Sequence, residues 1–288
     1  AWLFLARRLR RGEELIDAAP RRLARWTGID MIAILLLYML LCTAAGRALG
    51  VEVDPKTGLP LPGGERVFIF AFALGGLLAV PLGAALLGYR WRCAPVDLGL
   101  PTRWNDLRDD VFWGAVGFAA CALPVLLVHT LLVILTNRFF PYRHEVIETL
   151  ASDPSSKTLL VMVFSAVIAA PLWEEFAFRL LLQGWLQRVV RQSSLEAAPL
   201  EGEDGRLNFP LLPARLSWLP IVGSAIPFAS MHLGQGLAPV PLFLLGIVLG
   251  YLYRQTQRIV PCIVLHVLFN ATAIATAWMA LQLGEPLH

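Results

Sequence analysis

The sequence VMVFSAVIAAPLWEEFAFRLLLQ, residues 161–183, places two acids and one arginine in the middle of an otherwise apolar run. On insertion scales, each such side chain costs about 2.5–3.5 kcal/mol at the centre of a membrane helix. Three together would cost roughly 8–10 kcal/mol before pairing, so they must be paired and must face water or the interior of a helix bundle. The stretch therefore predicts a membrane helix that carries a polar site inside the bilayer.

The rest of the chain has the composition of a membrane protein. Its 288 residues are 57% hydrophobic and 16% charged, whereas soluble domains are about 45–50% apolar and about 25% charged. Six runs lack Asp, Glu, Lys and Arg: 31–46, 67–89, 111–137, 158–173, 216–253 and 259–284. The 216–253 run has Gly and Pro near its middle and would supply two spans. The sequence therefore predicts an all-α, polytopic transmembrane helical bundle of about seven spans.

The basic residues predict the orientation of this bundle. With alternating spans, one side receives segments 1–27, 90–110, 188–217 and 254–258, which hold 17 Arg, whereas the flanks on the other side hold six basic residues. The positive-inside rule places the Arg-rich side, and with it the N-terminal segment, in the cytoplasm. We expect a multi-pass protein of a bacterial plasma membrane, with membrane lipid and no nucleic acid as partner.

Three regions are predicted along the chain. Residues 1–27 form a cytoplasmic basic segment, and 28–157 form N-terminal spans and loops. Residues 158–288 form the core that carries the charged stretch, and this core contains a polar cytoplasmic insertion at 192–215.

The two acids of the opening stretch are predicted to have different roles. Glu175 and Arg179 are four residues apart, so they share a helix face and can form an ion pair. Glu174 points about 100° away from Glu175 and is the freer carboxylate, which suits a general base. A structural salt bridge would explain Glu175 and Arg179 but leaves Glu174 without a role. Pro171, just upstream, is expected to kink the helix.

Three further polar residues fall inside predicted spans. His266 and Asn270 share a helix face, and His232 ends the preceding apolar stretch. At about 1.5 Å per residue, these three and Glu174 lie in the same middle slab of the bilayer, on three helices. Each alone is readily explained as a hydrogen-bonded packing residue, as we expect for His129. Their convergence instead favours a site.

Three motifs in order carry a family resemblance: Glu174-Glu175-x-x-x-Arg179, Phe228-x-x-x-His232 and His266-x-x-x-Asn270. Within residues 160–275, this pattern resembles the type II CAAX prenyl endopeptidase and bacteriocin-processing (CPBP, or ABI) family. The resemblance implies an intramembrane endopeptidase that acts on membrane-associated or lipidated peptide and protein substrates.

The resemblance also implies a role for each motif residue. Glu174 would activate a water together with His232, and that water would attack a peptide carbonyl. His266 and Asn270 would stabilise the oxyanion, while Glu175 and Arg179 would organise the site.

A metal-free mechanism is the favoured interpretation, with no cofactor expected. Two histidines and a glutamate could also hold a zinc ion with an open fourth position. The HExxH motif of many zinc proteases is missing from the sequence.

Two other functions remain open from the sequence. A non-catalytic membrane immunity or scaffold protein could carry the same cluster without using it for chemistry. A transporter could use intramembrane Glu, Arg and His as a proton relay, and it would show inverted repeats and a path across both leaflets. A cavity closed at one end would favour the peptidase.

Overall fold

A computed structural model describes residues 1–19, 23–142, 144–192, 200–201, 207–208, 216 and 218–283. The helices in this part of the chain are α1 (Trp2–Arg10), α2 (Gly28–Ala48), α3 (Glu65–Trp91), α4 (Trp104–Thr136), α5 (Glu145–Ser152), α6 (156–192), α7 (Leu219–Ser230), α8 (Pro239–Thr256) and α9 (Val260–Gln282). Strands β1 (Leu200–Glu201) and β2 (Leu207–Asn208) form one short antiparallel pairing. The predicted all-α membrane bundle is confirmed.

Five of these helices, α2, α3, α4, α6 and α9, are long and apolar enough to cross a membrane. The predicted seven spans are not confirmed. The 216–253 run yields α7 with 12 residues and α8 with 18 residues, which rise about 18 and 27 Å against a hydrocarbon core of about 30 Å. The residues between α7 and α8 form a loop, so they lengthen neither helix. Gly234 and Gly236 turn the chain in this loop, with φ of +100° and +63°.

Helix α6 alternates between two kinds of helical turn. Its α-helical segments are Ser156–Met162, Ala170–Glu174 and Gly184–Gln192, and its π-helical segments are Val163–Ala169 and Glu175–Gln183. π-Helical turns are rare and are frequently found at functional sites. The structure has π-helical turns on both sides of the short segment that contains Pro171, and the kink at this proline stays a prediction.

Small residues let the membrane helices approach closely, as is usual in bundles. A Cβ added to Gly75 of α3 would lie 2.5 Å from Sγ of Cys42 on α2. A Cβ added to Gly114 of α4 would lie 2.6 Å from Cβ of Val264 on α9. These contacts bring α2 against α3 and α4 against α9.

One end of the bundle, formed by residues 23–28, 90–108, 188–191 and 254–260, is called here the Arg-rich end. Arg258 donates to Oδ1 of Asp110 at 2.9 Å, and Arg188 donates to the carbonyl of Arg25 at 2.8 Å. Ile259 N–H donates to the carbonyl of Gly99 at 3.1 Å. These bonds join the loops of this end to one another.

The opposite end is formed by residues 48–66, 136–156 and 230–239. Arg66 bridges α3 to Asp153 at 2.7 Å. A Cβ on Gly236 would lie 2.9 Å from the carbonyl oxygen of Phe140, so the loop after α7 packs against the segment before α5. The predicted insertion at 192–215 lies outside the described residues except for 192, 200–201 and 207–208, and the predicted domain limits remain predictions.

Candidate functional site

The predicted ion pair of α6 is present and is completely buried. Nε of Arg179 lies 3.0 Å from Oε2 of Glu175, and neither side chain is exposed. The guanidinium also lies over the ring of Phe228, 4.6 Å from its centroid, an arrangement in which the ring face attracts the cation. Phe228, the first residue of the second motif, thus belongs to the cluster through a contact that the sequence did not predict.

Glu175 also holds His266 of α9. Nδ1 of His266 lies 2.8 Å from Oε1 of Glu175, and its side chain is only 4% exposed. The ionised carboxylate is an acceptor, so Nδ1 carries the proton in this contact. This orients the ring and leaves Nε2 directed toward Glu174.

Glu174 is the free carboxylate of the pair, as the helical spacing predicts. Its side chain is 22% exposed, whereas that of Glu175 is fully buried. Oε2 of Glu174 lies 3.8 Å from Nε2 of His266, beyond hydrogen-bond distance. Since Arg179 and His266 both engage Glu175, Glu174 remains directed at the adjoining cavity.

His232 and Asn270 line the same cavity, and each side chain has its own backbone hydrogen-bond partner. His232 follows α7, and its Nδ1 lies 3.3 Å from the carbonyl oxygen of Phe228. Nδ2 of Asn270 donates to the carbonyl of Ala166 at 2.8 Å, which ties α9 to the first π-helical segment of α6. In the part of the chain that the structure describes, neither residue forms a hydrogen bond with Glu174.

The cavity has a volume of about 480 Å³ and is mainly apolar. Its walls include large apolar and aromatic side chains, among them Phe68, Phe72, Val125, Trp173, Leu242 and Phe269. Toward the Arg-rich end, the cluster rests on a core whose members are buried: Leu180, Gln183, Ile221, Leu249, Leu252 and Cys262. The cavity therefore extends from the cluster in one direction, toward the opposite end of the bundle.

Several cavity residues were not predicted as part of a site. Tyr38 stacks on Trp173 with ring centroids 4.1 Å apart. His129, which the sequence favoured as a packing residue, also lines the cavity, with Tyr142 edge-on at 4.8 Å. Membership of one cavity depends on contacts between distant segments, which helical spacing cannot reveal.

His144, just before α5, also lines the cavity, and burial lowers its pKa to about 4, with the nearby His232 and His129 contributing. Its Nδ1 is buried without a hydrogen-bond partner among the described residues. No motif singled out this residue, although its segment was predicted to face the side opposite the Arg-rich loops.

The zinc alternative would need three ligand side chains close together. Among the described residues, no group of three or more His, Cys, Asp or Glu side chains is placed to hold a metal ion. Nδ1 of His266 is already engaged by Glu175, so His266 could offer a metal only Nε2. The absence of a cofactor remains a prediction.

A family model described as Type II CAAX prenyl endopeptidase Rce1-like matches residues 156–272. The matched segment contains all of α6, α7 and α8, the first part of α9, and the six predicted site residues. The match confirms the resemblance predicted from the three motifs. No curated protein and no solved structure matches the chain.

Proposed function

Because residues 156–272 belong to the type II CAAX prenyl endopeptidase Rce1-like family, we propose that the chain is an intramembrane endopeptidase in which Glu174 activates the attacking water. The family match supports a CAAX-protease-like enzyme with a peptide or protein substrate in the membrane. The mechanism rests on one observation. Of the two adjacent acids, the buried Glu175 is held by Arg179 and His266, whereas the partly exposed Glu174 is free at the wall of the cavity.

In the first step, Glu174 takes a proton from a water in the cavity, and the hydroxide oxygen bonds to the carbonyl carbon of the substrate. His232, which lines the same cavity, helps to hold this water. A positioned general base of this kind typically contributes about 10²–10⁴-fold to the rate.

The attack places negative charge on the former carbonyl oxygen. Nε2 of His266 lies 3.8 Å from Glu174, so a short movement lets the proton pass from Glu174 to His266. The resulting imidazolium, held by Glu175 through Nδ1, then donates from Nε2 to the oxyanion. Asn270 uses one Nδ2–H for the carbonyl of Ala166 and has a second for the same oxyanion. Loss of one such donor typically costs about 2.7–4 kcal/mol of transition-state stabilisation.

Collapse of the tetrahedral intermediate breaks the C–N bond. The proton held by Glu174 and His266 passes to the leaving amine, which restores both groups to their starting forms. Glu175 and Arg179 do not touch the substrate in this scheme. They position His266 and keep the charge balanced inside the bilayer.

Substrates of this enzyme are membrane-associated or lipidated polypeptides. The apolar cavity favours an apolar side chain or a lipid chain next to the scissile bond, and only the experiment below distinguishes the two. A transporter would need a path to both ends, and the buried core beneath the cluster favours the peptidase over it.

The test compares wild type with Glu174→Gln, using a mixed library of lipidated and unlipidated peptides. Cleavage is followed by mass spectrometry in detergent, with and without a strong chelator. We expect the wild type to cleave a subset of the library at a chelator-independent rate, and Glu174→Gln to lose about 10²–10⁴-fold in rate.

Glu148→Gln is the matched control, because Glu148 is an exposed acid on α5 outside the cavity lining. It should cleave like the wild type. If wild type and Glu174→Gln, both folded, release the same products at the same rate, the general-base role is wrong and a binding or scaffold protein is favoured. If the chelator abolishes cleavage, the metal-free mechanism is wrong.

A further inference from the structure

The wall of the cavity contains polar atoms that lack a partner, although the wall is mainly apolar. Among the described residues that line the cavity, three have a buried side-chain atom without a hydrogen-bond partner: Nδ1 of His144, Oγ of Ser165 and Oε1 of Gln235. These three residues are called here the polar wall. A buried polar atom is costly to leave unpaired. Its partner must therefore come from what enters the cavity, either water or substrate.

Ser165 departs from the behaviour of other hydroxyl groups on the helices of this bundle. Ser230 donates to the carbonyl of Ile226 at 2.9 Å, and Thr272 donates to the carbonyl of Leu268 at 2.8 Å, each one turn back along its own helix. Ser165 is only 5% exposed, and its Oγ has no such bond. Its hydroxyl is therefore free for a partner in the cavity.

Two members of the polar wall adjoin residues of the candidate site. Ser165 directly precedes Ala166, whose carbonyl accepts from Asn270 at 2.8 Å. The backbone N–H of Gln235 donates to the carbonyl of His232 at 3.2 Å, in the turn after α7. The segments that hold Asn270 and His232 at the cavity thus also place Ser165 and Gln235 there.

The third member, His144, comes from a segment that packs against the loop of Gln235. A Cβ on Gly236 would lie 3.0 Å from the carbonyl oxygen of Pro141, three residues before His144. Burial, and then the nearby His232, lower the pKa of His144 to about 4, so its ring is neutral at pH 7. The polar wall is therefore uncharged and can both donate and accept hydrogen bonds.

A polypeptide main chain has the matching chemistry. Each peptide unit carries an uncharged N–H donor and an uncharged C=O acceptor. These groups lose their water when the chain enters an apolar cavity, and they then need new partners. The polar wall and an entering main chain can therefore satisfy each other.

We propose that the polar wall binds the main chain of the substrate beside the scissile bond. Oε1 of Gln235 accepts from a backbone N–H, while Ser165 and His144 bond to neighbouring peptide groups. The proposal deepens the proposed function and rests on it for the polypeptide nature of the substrate. The polar wall then recognises the backbone common to all polypeptides, and the apolar lining selects the side chain or lipid next to it.

The test is a double-mutant cycle on binding, in which one change is made in the protein and the other in the peptide. The full chain carries Glu174→Gln throughout, so that binding is read apart from the proposed chemistry. The probe is the tightest-binding peptide of the cleavage library, together with analogues in which one backbone amide at a time is replaced by an ester. Each ester removes one N–H. Intact peptide retained by the protein in detergent is quantified by mass spectrometry.

One ester should weaken binding by about 3–10-fold, the usual contribution of one hydrogen bond. The same ester should have no effect once Gln235→Leu has removed the acceptor. Ser165→Ala and His144→Phe should each weaken binding of the all-amide peptide by about 3–10-fold. Because the ratio of ester to amide is taken within one variant, any loss of folded protein cancels.

Ser230→Ala is the matched control, because Ser230 is exposed, lies outside the cavity lining and already donates within its own helix. It should change neither the affinity nor the effect of any ester. If each ester costs the same with and without Gln235→Leu, or if no library peptide binds, the inference is overturned.

The binding cycle and the cleavage test can fail separately. If the ester effect disappears with Gln235→Leu while Glu174→Gln still cleaves like the wild type, main-chain recognition stands and the proposed mechanism fails. If Glu174→Gln abolishes cleavage but the ester effect does not depend on Gln235, the mechanism stands and main-chain recognition by the polar wall fails.

Discussion

The two halves of the bundle are built from the same apolar helices, but their polar side chains have different surroundings. In the half toward the Arg-rich end, polar side chains are used to close contacts, as when Gln183 bonds to Gly250 and Ser224, or Arg258 to Asp106 and Asp110. In the other half, Glu174, His232 and Asn270 border a cavity of about 480 Å³.

The difference shows how a membrane protein can hold a reactive group in a stable bundle. The cost of burying charge is concentrated in Glu175, Arg179 and His266, which pair with one another. Glu174 is then the acid of the pair that stays free for the proposed chemistry. The packed half supplies the stability that the cavity half lacks, because close packing of helices is the main attraction between them in lipid.

The largest stability effect is expected where the two halves meet. Arg179→Met leaves Glu175 buried with His266 as its remaining ionic partner among the described residues, and breaking a buried pair in this way typically costs about 3–5 kcal/mol. The measurement is the free energy of unfolding in mixed micelles. Arg66→Met, which removes an ion pair whose partners are 42% and 51% exposed, is the control and should have a smaller effect. Equal effects of the two substitutions would refute the assignment of the buried charges.

Two glycines allow the tightness of packing at the two ends of the bundle to be compared. Gly99 at the Arg-rich end and Gly50 at the other have nearly the same φ, +68° and +69°. A Cβ on Gly99 would lie 3.0 Å from the backbone N of Ile259, whereas a Cβ on Gly50 would meet nothing within 4 Å. Alanine at either position costs about 1–2 kcal/mol for the left-handed backbone.

Gly99→Ala should cost about 1–3 kcal/mol more than Gly50→Ala, because it also overpacks the contact with Ile259. Thermal unfolding of the two variants in detergent measures the difference. Indistinguishable variants would mean that the Arg-rich end is no more tightly packed than the other.

The smallest effect is expected at His144 in the cavity lining, where acid should lower the free energy of unfolding. The pKa of His144 falls to about 4 on folding because the ring is buried, against about 6.5 in an unfolded chain. Between these pH values the unfolded state binds one more proton than the folded state. The contribution of the neutral His144 ring to the free energy of unfolding is therefore complete above pH 6.5 and is lost as the pH falls toward 4. From pH 7 to pH 5, the free energy of unfolding should drop by up to about 2 kcal/mol from this group.

Unfolding at a series of pH values, compared between wild type and His144→Phe, measures this contribution. The substitution should flatten the curve between pH 7 and pH 5. An unchanged slope would show that other groups cause the acid sensitivity.

The sequence predicted the fold class and the pair Glu175 and Arg179 because both depend on local spacing and on the cost of charge in lipid. The predicted number of spans, about seven, is not confirmed, since a charge-free run does not show how many residues the loop at Gly234 and Gly236 requires. The sequence also missed the cation–π contact of Phe228 and the position of His144. Those contacts join segments far apart in the chain. Apolar helices have too few polar residues for their spacing to predict such contacts.

The π-helical segments of α6 should let this helix lose a residue without changing the direction of the side chains beyond it. A π-helical turn closes its hydrogen bonds over five residues, one more than an α-helical turn. Deleting one residue from Val163–Ala169 could therefore be absorbed by conversion to α-helix, whereas the same deletion in a regular helix would rotate everything beyond it by about 100°. Insertions and deletions between related chains should collect in the two π-helical segments, while the short stretch from Ala170 to Glu174 keeps a fixed length.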